Sequence, residues 1–390
     1  MRYLLTGGGT GGHVYPALAI REIIQEDDRD AEFIYVGIEG KAEEYILNAL
    51  DEPSKIPLHF IHAIGLPRSF APFRIFTFFR HLLKGCIESS GIIRSFNPDI
   101  IVATGGYVTA PVILAGRLHR KKIIIHEQNS APGLVNKILG RFAHRILVTF
   151  EETISFFRKD KCVLSGYPVR RRIVRSSKEH ARETLGIPSE ANAVLIFGGS
   201  TGAKIINETI ARNIELLIAH ENFVVIHGTG RDRPGVYTAY SDTVAMIKGS
   251  NAADVLQRQY IIKDFFHDID TIYSAVDLVV CRAGAGTLME CASIGIPMII
   301  IPKRGLPGNH QEKNAQAAEK TGGAAIVYEE HHKQESIIDA ERLIKLIHET
   351  ISDNERLTQM SADIQHLFIH NTSKHILDTV HELLNGTNRE

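Results

Sequence analysis

The feature that most limits what this chain can fold into is a strand-to-helix glycine turn that occurs twice. Leu4-Leu5-Thr6-Gly7-Gly8-Gly9-Thr10-Gly11-Gly12 near the start is echoed by Leu195-Ile196-Phe197-Gly198-Gly199-Ser200-Thr201-Gly202-Ala203 near the middle. A strand that feeds a helix through small residues is the repeating unit of parallel α/β sheets. Around both copies, short β-branched runs alternate with helical patterns. Strands are predicted at 2–6, 32–37, 99–104, 122–126, 145–149 and 162–165, then at 193–198, 222–227, 259–263, 277–281, 297–301 and 324–328. Helices are predicted over 14–26, 202–219, 310–320 and 334–350. Each half therefore reads as a doubly wound sheet, and a length of 390 residues suits two domains. Pro168, in Ser165-Gly166-Tyr167-Pro168-Val169-Arg170, interrupts any strand or helix and marks a linker near 166–172. The expected domains are 1–166 and 167–390. The last helical stretch, about 372–385, is assignable to either domain, packing on the N-terminal one included.

The first glycine turn contains G-x-G-x-x-G, whose glycines let backbone approach a diphosphate at a helix N-terminus. It serves either that purpose or a tight turn. A dinucleotide site is disfavoured, because Phe33-Ile34-Tyr35-Val36-Gly37 ends in glycine where an acid is needed, and Glu39 comes late. His13 follows the loop, and a neutral imidazole there can accept a proton; the alternative is a histidine that only braces the loop. Thr104-Gly105-Gly106-Tyr107 and His126-Glu127-Gln128-Asn129 are two further polar strand ends in the same half. Ligands of doubly wound sheets bind outside such ends. In the second half, Gly198-Gly199-Ser200 opens another helix, and Cys281-Arg282-Ala283-Gly284-Ala285-Gly286-Thr287-Leu288-Met289-Glu290 joins strand to helix with a carboxylate one turn on. Glu290 is placed either to accept from two ribose hydroxyls or as an ordinary helix-face acid. Gln311, in Asn309-His310-Gln311-Glu312-Lys313-Asn314, is an amide able to bond sugar hydroxyls, and Asn309 a candidate N-cap. Asp268-Ile269-Asp270 resembles a metal-binding D-x-D but starts a helical stretch, so capping is expected and no metal.

Residues 66–84 carry four cationic residues and five phenylalanines with no acid. That composition suits a membrane-surface segment built on Phe73, Arg74, Phe76, Phe79 and Arg80, with Lys137 and Arg141 extending the basic face, or else a packed core. With 44 Lys+Arg against 45 Asp+Glu and no nucleic-acid motif, nucleic-acid binding is not expected. Cys86, Cys162, Cys281 and Cys291 lack disulfide or zinc spacing and read as reduced thiols. With no signal peptide or spanning segment in evidence, a cytoplasmic location is expected.

Taken together, Gly8-Gly9-Thr10-Gly11-Gly12-His13, Gly105-Gly106-Tyr107-Val108, His126-Glu127-Gln128-Asn129, Pro168-Val169-Arg170, Gly198-Gly199-Ser200 and His310-Gln311-Glu312-Lys313-Asn314 resemble, in order and spacing, the MurG family over about residues 2–370. The resemblance implies an α/β GT-B fold, two doubly wound Rossmann-like domains facing a central cleft. It implies inverting transfer of N-acetylglucosamine from UDP-N-acetylglucosamine to lipid I, undecaprenyl-pyrophosphoryl-N-acetylmuramyl-pentapeptide, giving lipid II, with no metal or other cofactor. By position it assigns donor contacts to Thr10, Gly11, Gly12, Asn129, Arg170, Ser200, Phe266, Ala285, Gly286, Thr287, Leu288, Met289, Glu290 and Gln311. It makes His13 the candidate base, puts Gly105, Gly106, Tyr107 and Glu127 on the acceptor side, and matches the basic aromatic segment to a membrane-docking region. A peripheral place on the cytoplasmic face of the inner membrane, an anionic membrane surface, and cell-wall synthesis and division proteins as partners are implied with it. Thr109-Ala110 after Gly-Tyr-Val, Tyr167 before Pro-Val-Arg, and Gly286 and Met289 before Glu290 depart from the family's commoner residues. A related UDP-N-acetylglucosamine epimerase, a diacylglycerol glycosyltransferase and a UDP-sugar sensor are the rival readings.

Overall fold

The computed structural model describes residues 1–386 apart from 52–53, 68–71, 175, 200, 220–221, 234, 250–258 and 333–334. Ser200 and part of the basic aromatic stretch thus lie outside the described residues. The chain forms two compact units, one of Met1–Arg171 with Ile369–Glu390 and one of Arg172–Phe368.

The first unit holds a seven-stranded parallel sheet in the order β3-β2-β1-β4-β5-β6-β7. Its strands are β1 (Arg2–Thr6), β2 (Glu32–Gly37), β3 (Leu58–Phe60), β4 (Ile100–Ala103), β5 (Lys122–Glu127), β6 (Arg145–Val148) and β7 (Cys162–Leu164). Helices α1 (Gly11–Asp27), α2 (Ala42–Asn48), α3 (Pro72–Phe96), α4 (Thr109–Leu118) and α5 (Leu134–Leu139) connect them. Both faces of the sheet are covered, which is why its strands are apolar runs rather than alternating ones. Leu5, Val102, Ile124 and Leu147 face Val14, Ile20 and Ile24 of α1. Leu4, Ile101, Ile123 and Ile146 face Val112 and Ile113 of α4. The strand order reverses between β1 and β4, so the loops that follow these two strands flank the switch point, where ligands of such sheets bind.

The chain returns to this unit at its end. Ile376 and Val380 of the helix Thr372–Asn385 are buried in the same core as α1. Polar clamps hold the helix: Arg145 Nε donates to Glu382 at 3.1 Å, and His381 Nε2 lies 2.7 Å from Asp27 Oδ2. Gly166, at φ +82°, is required here, since a Cβ would lie 2.5 Å from Thr372 Oγ1.

The second unit repeats the plan with six parallel strands ordered β10-β9-β8-β11-β12-β13. They are β8 (Asn192–Phe197), β9 (Phe223–Gly228), β10 (Tyr260–Lys263), β11 (Leu278–Cys281), β12 (Met298–Ile300) and β13 (Ala324–Ile326). The switch point lies between β8 and β11. The helix Ala340–Ile351 buries Leu343, Ile347 and Ile351 against Val194, Ile196 and Val280.

Two predicted helices differ, and two observed features were not predicted. The helix expected over 202–219 is broken at Asn213 into Lys204–Arg212 and Ile214–Leu217, where φ −119° and ψ 24° leave the helical range. The helix expected from 334 begins only at Ala340, because the Asp339 carboxylate caps it by accepting from Arg342 N–H at 3.0 Å. The residues before it form a short antiparallel hairpin, β14 (Glu330–His332) with β15 (Glu335–Ile337). The strand β3 carries no predicted counterpart.

The returning helix is a structural part of the first unit, and deleting a fully buried aliphatic group leaves a cavity. Ile376→Ala is expected to destabilise the first unit by about 2–5 kcal/mol, read as a lowered denaturation midpoint, while a substitution at exposed Glu382 shifts it far less.

Candidate active site

In the first unit, the loop after β1 and the loop after β4 meet backbone to backbone. Gly8 N–H donates to Gly105 O at 3.1 Å, and a Cβ on Gly106 would lie 2.3 Å from Gly8 O. Gly105 and Gly106 have φ of +111° and +84°, so glycine is required for conformation as well as space. The buried carboxylate of Glu43 holds the first loop from below, accepting from Gly9 N–H at 2.9 Å and Ile38 N–H at 3.0 Å. Tyr35, its hydroxyl kept protonated by complete burial, donates to Gly7 O at 2.6 Å. The helix α1 then starts at Gly11 with no side-chain cap from Thr10 and no acid in its first turn. Such an N-terminus offers N–H groups and a favourable dipole to an anion. Tyr107 stands over this loop, its ring 4.0 Å from where a Gly9 Cβ would be.

His13 is fixed by the second loop. Its Nδ1 lies 3.0 Å from Thr104 O and 3.3 Å from Gln128 Oε1. Both partners are acceptors, so Nδ1 carries the proton and Nε2 keeps its lone pair. A Cβ on Gly105 would be 2.9 Å from the His13 ring, so that glycine also makes room for the imidazole. The Gln128 amide is oriented in turn: its Nε2 donates to Thr104 O at 2.6 Å and lies 3.2 Å from His126 Nδ1. Burial pushes His126 down to about 4, and its Nε2–H donates to Gly166 O at 3.2 Å. The donors and acceptors thus run in one direction from Gly166 to His13.

Glu127 is a brace for its own loop. One oxygen accepts from Asn129 N–H at 3.0 Å, the other from Gly133 N–H at 3.0 Å and Asn136 Nδ2 at 2.8 Å. It is 1% exposed, so the loop that carries Asn129 is what it presents to a ligand. The Arg170 guanidinium lies over the Tyr15 ring at 4.4 Å, a cation–π contact that holds the charge beside α1.

The second unit makes a parallel arrangement. A Cβ on Gly202, at φ +71°, would lie 2.0 Å from Thr229 O, so the loop after β8 and the loop after β9 again touch through backbone. The helix Ala285–Ser293 starts at Gly284 without a side-chain cap. Its Leu288 and Met289 side chains are buried, and Gly286 and Thr287 are the half-buried residues of that turn. Glu290, 9% exposed, accepts from the Tyr273 hydroxyl at 3.3 Å. Gln311 Oε1 accepts from Lys303 N–H at 2.9 Å, which turns its NH₂ to other partners. Phe266 is buried with its ring against the backbone of Gly228. Asn309 is in the left-handed region at φ 50° and makes no side-chain cap, and Asp268 occupies an N-cap position without a capping bond.

Two site-building groups are absent from the sequence reading. Glu43 has no motif around it, being one acid among Glu43-Glu44 in a short helix. The buried pair Arg282–Glu329, 2.6 Å apart, anchors the strand ends beside the 303–311 loop, with Arg282 also donating to Ile301 O at 3.0 Å. Its two members are 47 residues apart (329 − 282) in sequence, and only the sheet joins them.

On α3, Phe73, Phe76 and Phe79 are 78%, 68% and 59% exposed, and Leu83 and Ile87 continue the stripe. The phenylalanines are therefore surface groups, not core. Among the described residues no helix is long and apolar enough to cross a membrane.

The chain matches the glycosyltransferase family 28 N-terminal domain over residues 3–148 and the glycosyltransferase family 28 C-terminal domain over residues 193–376. It is 38% identical to a UDP-N-acetylglucosamine–N-acetylmuramyl-(pentapeptide) pyrophosphoryl-undecaprenol N-acetylglucosamine transferase of Desulforudis audaxviator, covering 84% of this chain and 85% of that one. It is 33% identical to a transferase of the same name from Finegoldia magna, covering 98% of both. Acinetobacter baumannii MurG has the same fold, with a TM-score of 0.69 and 24% identity over 98% of this chain and 99% of that one. A Neisseria meningitidis UDP-GlcNAc 2-epimerase bound to UDP-GlcNAc shares the architecture at TM-score 0.66 and 14% identity, over 98% and 100%. With two Rossmann-like units, both domains matched and full-length relatives above 30% identity, the chain belongs to the MurG family of family 28 glycosyltransferases.

Proposed function

We propose that the protein transfers N-acetylglucosamine from UDP-N-acetylglucosamine to lipid I, with inversion, to make lipid II for peptidoglycan. The observation that carries the chemistry is His13, whose Nδ1 faces only acceptors and whose Nε2 is thereby left to take a proton. The acceptor hydroxyl attacks the anomeric carbon as Nε2 removes its proton; the bond from that carbon to the UDP phosphate oxygen breaks, and UDP leaves with the electron pair. The uncapped N-terminus of Ala285–Ser293 suits the diphosphate, the Glu290 carboxylate suits the two ribose hydroxyls, and the Gln311 NH₂ suits a sugar hydroxyl. The loops of the first unit, with Gly105, Gly106 and Tyr107, are assigned to the acceptor. Gln128, Thr104 and His126 act as positioning residues through His13. The exposed apolar stripe of α3, with Arg74, Arg80 and Lys84 beside it, is read as a peripheral membrane-docking face on the cytoplasmic side, where the lipid-linked acceptor is found.

His13→Ala is expected to lower turnover by ~10² to 10⁴ with the lipid acceptor, while the calorimetric Kd for UDP-N-acetylglucosamine stays within a few-fold. Wild-type turnover with chemistry rate-limiting would make His13 structural. Glu290→Ala is expected to weaken donor binding more than roughly tenfold, as hydrogen bonds to a charged group are worth about 1.5–3 kcal/mol; unchanged donor affinity removes it from the site. Changing Phe73, Phe76 and Phe79 together to Ser should reduce sedimentation with anionic vesicles without unfolding the chain, and Arg74→Glu with Arg80→Glu should do so most at low salt, given screening over about 8 Å at physiological ionic strength. Undiminished vesicle binding by both variants would refute the docking face.

A further inference from the structure

The Gly166 peptide, just past β7, is fixed on three sides. The N–H groups of Ser165 and Gly166 both donate to Val148 O at the end of β6, at 3.1 and 3.2 Å. The Gly166 Cα is pressed by the start of the returning helix: a Cβ there would lie 2.5 Å from Thr372 Oγ1 and 2.8 Å from Ile369 Cβ. Thr372 is itself buried and held, its hydroxyl donating to Ile369 O at 2.6 Å. The Gly166 carbonyl then accepts twice, from Ser165 Oγ at 3.0 Å and from His126 Nε2 at 3.2 Å. Both of its lone pairs are engaged, so its direction is set. The Tyr167 ring meets that of His126 edge to face, with centroids 6.1 Å apart and planes at 73°. Ser165, Tyr167 and His126 are all buried, so bulk water offers the imidazole no substitute partner.

We propose that Thr372 and Tyr167 are positioning residues for the reaction: they hold the Gly166 carbonyl and the His126 ring, which together select the His13 tautomer that leaves Nε2 able to take a proton. The proposal rests on the reading of His13 as the base and carries it to residues remote from any substrate. The physical reason is the matching of donors to acceptors along the buried chain. With its Nε2–H given to Gly166 O, His126 presents a bare Nδ1 to Gln128 Nε2 at 3.2 Å, and the amide turns its oxygen to His13 Nδ1 at 3.3 Å. If the carbonyl swings away or the ring tilts, the Nδ1–H tautomer of His126 gains population. Its proton then faces the Gln128 NH₂, donor against donor, and the amide is displaced. His13 Nδ1–H is left with one acceptor of its two, Thr104 O at 3.0 Å. The Nε2–H tautomer of His13 rises in consequence, and that form cannot take a proton from the acceptor hydroxyl. Both imidazoles stay neutral throughout, with one proton on each ring.

The test uses the full chain with histidine isotopically labelled at the ring nitrogens, whose NMR signals report the tautomers of His13 and His126 and are assigned with His13→Gln and His126→Gln. Thr372→Val, which sets a methyl group in place of the hydroxyl against Gly166, and Tyr167→Leu, which removes the ring edge, are the two perturbing variants. Each is expected to raise the Nδ1–H form of His126 and the Nε2–H form of His13, and to lower kcat with the lipid acceptor roughly tenfold, the bias that one hydrogen bond imposes. The calorimetric Kd for UDP-N-acetylglucosamine stays within a few-fold. Thr372→Ser and Tyr167→Phe keep the hydroxyl and the ring, and should restore both the signals and turnover. Ile376→Ala loosens the same helix one turn further on, in the core it shares with α1. Below its denaturation midpoint it should keep wild-type tautomers and kcat. Wild-type tautomers in folded Thr372→Val and Tyr167→Leu, or an equal loss of kcat in Ile376→Ala, refute the positioning role. Shifted tautomers with unchanged kcat, where chemistry is rate-limiting, leave the relay standing and instead refute His13 as the base.

Discussion

The first unit depends on a contact in which two glycine loops touch through bare backbone. Gly8 donates to Gly105, and neither Gly106 nor Gly8 has space for a methyl group: the first would strike Gly8 O, the second the Glu43 carboxylate. This approach draws the end of β4 close enough to the start of α1 for Thr104 to receive the His13 ring. It also needs Glu43 to be buried and fully engaged, since a buried carboxylate without partners is strongly disfavoured. Shape and electrostatics are therefore one constraint here. The second unit solves the same problem with Gly202 and Gly230, so the likeness of the two glycine turns extends from sequence to packing.

The polar groups behind His13 follow a satisfiability rule. Gly166 O, His126, Gln128, Thr104 O and His13 each have a partner of the opposite kind, and the carbonyls at the two ends settle every imidazole tautomer. Burial keeps His126 neutral, which preserves the direction of the chain. Glu127, beside them, spends both oxygens on its own loop. The His-Glu-Gln-Asn sequence thus divides its work: the glutamate shapes the loop, the histidine and glutamine orient an imidazole on another element, and the half-buried asparagine donates its side-chain amide to the glutamate at 3.2 Å.

Much of the fold was legible in the sequence. All twelve strands of the two sheets other than β3 were marked by short β-branched runs, because strands buried on both faces must be apolar along their length. β3 is three residues, partly exposed and polar at His59, and has no such mark. The hairpin at 330–337 is equally short, and its residues lack either period. The basic aromatic stretch fitted a surface or a core from composition alone. Exposure of Phe73, Phe76 and Phe79 decides for the surface, and adds Leu83 and Ile87, which helical spacing places on the same stripe.

The sequence by itself determined the class of architecture, the glycine turns and the order of the polar strand ends, since these rest on local backbone preferences and on the period of apolar residues. Tertiary structure alone decided which polar groups meet. The pairing of Glu43 with Gly9, of Arg282 with Glu329, of His62 with Lys84 and Glu88, and of His13 with Thr104 and Gln128 joins residues on separate elements. No local pattern encodes such contacts, because the distance between two side chains is set by how whole elements pack, whereas propensity and periodicity act only within one element.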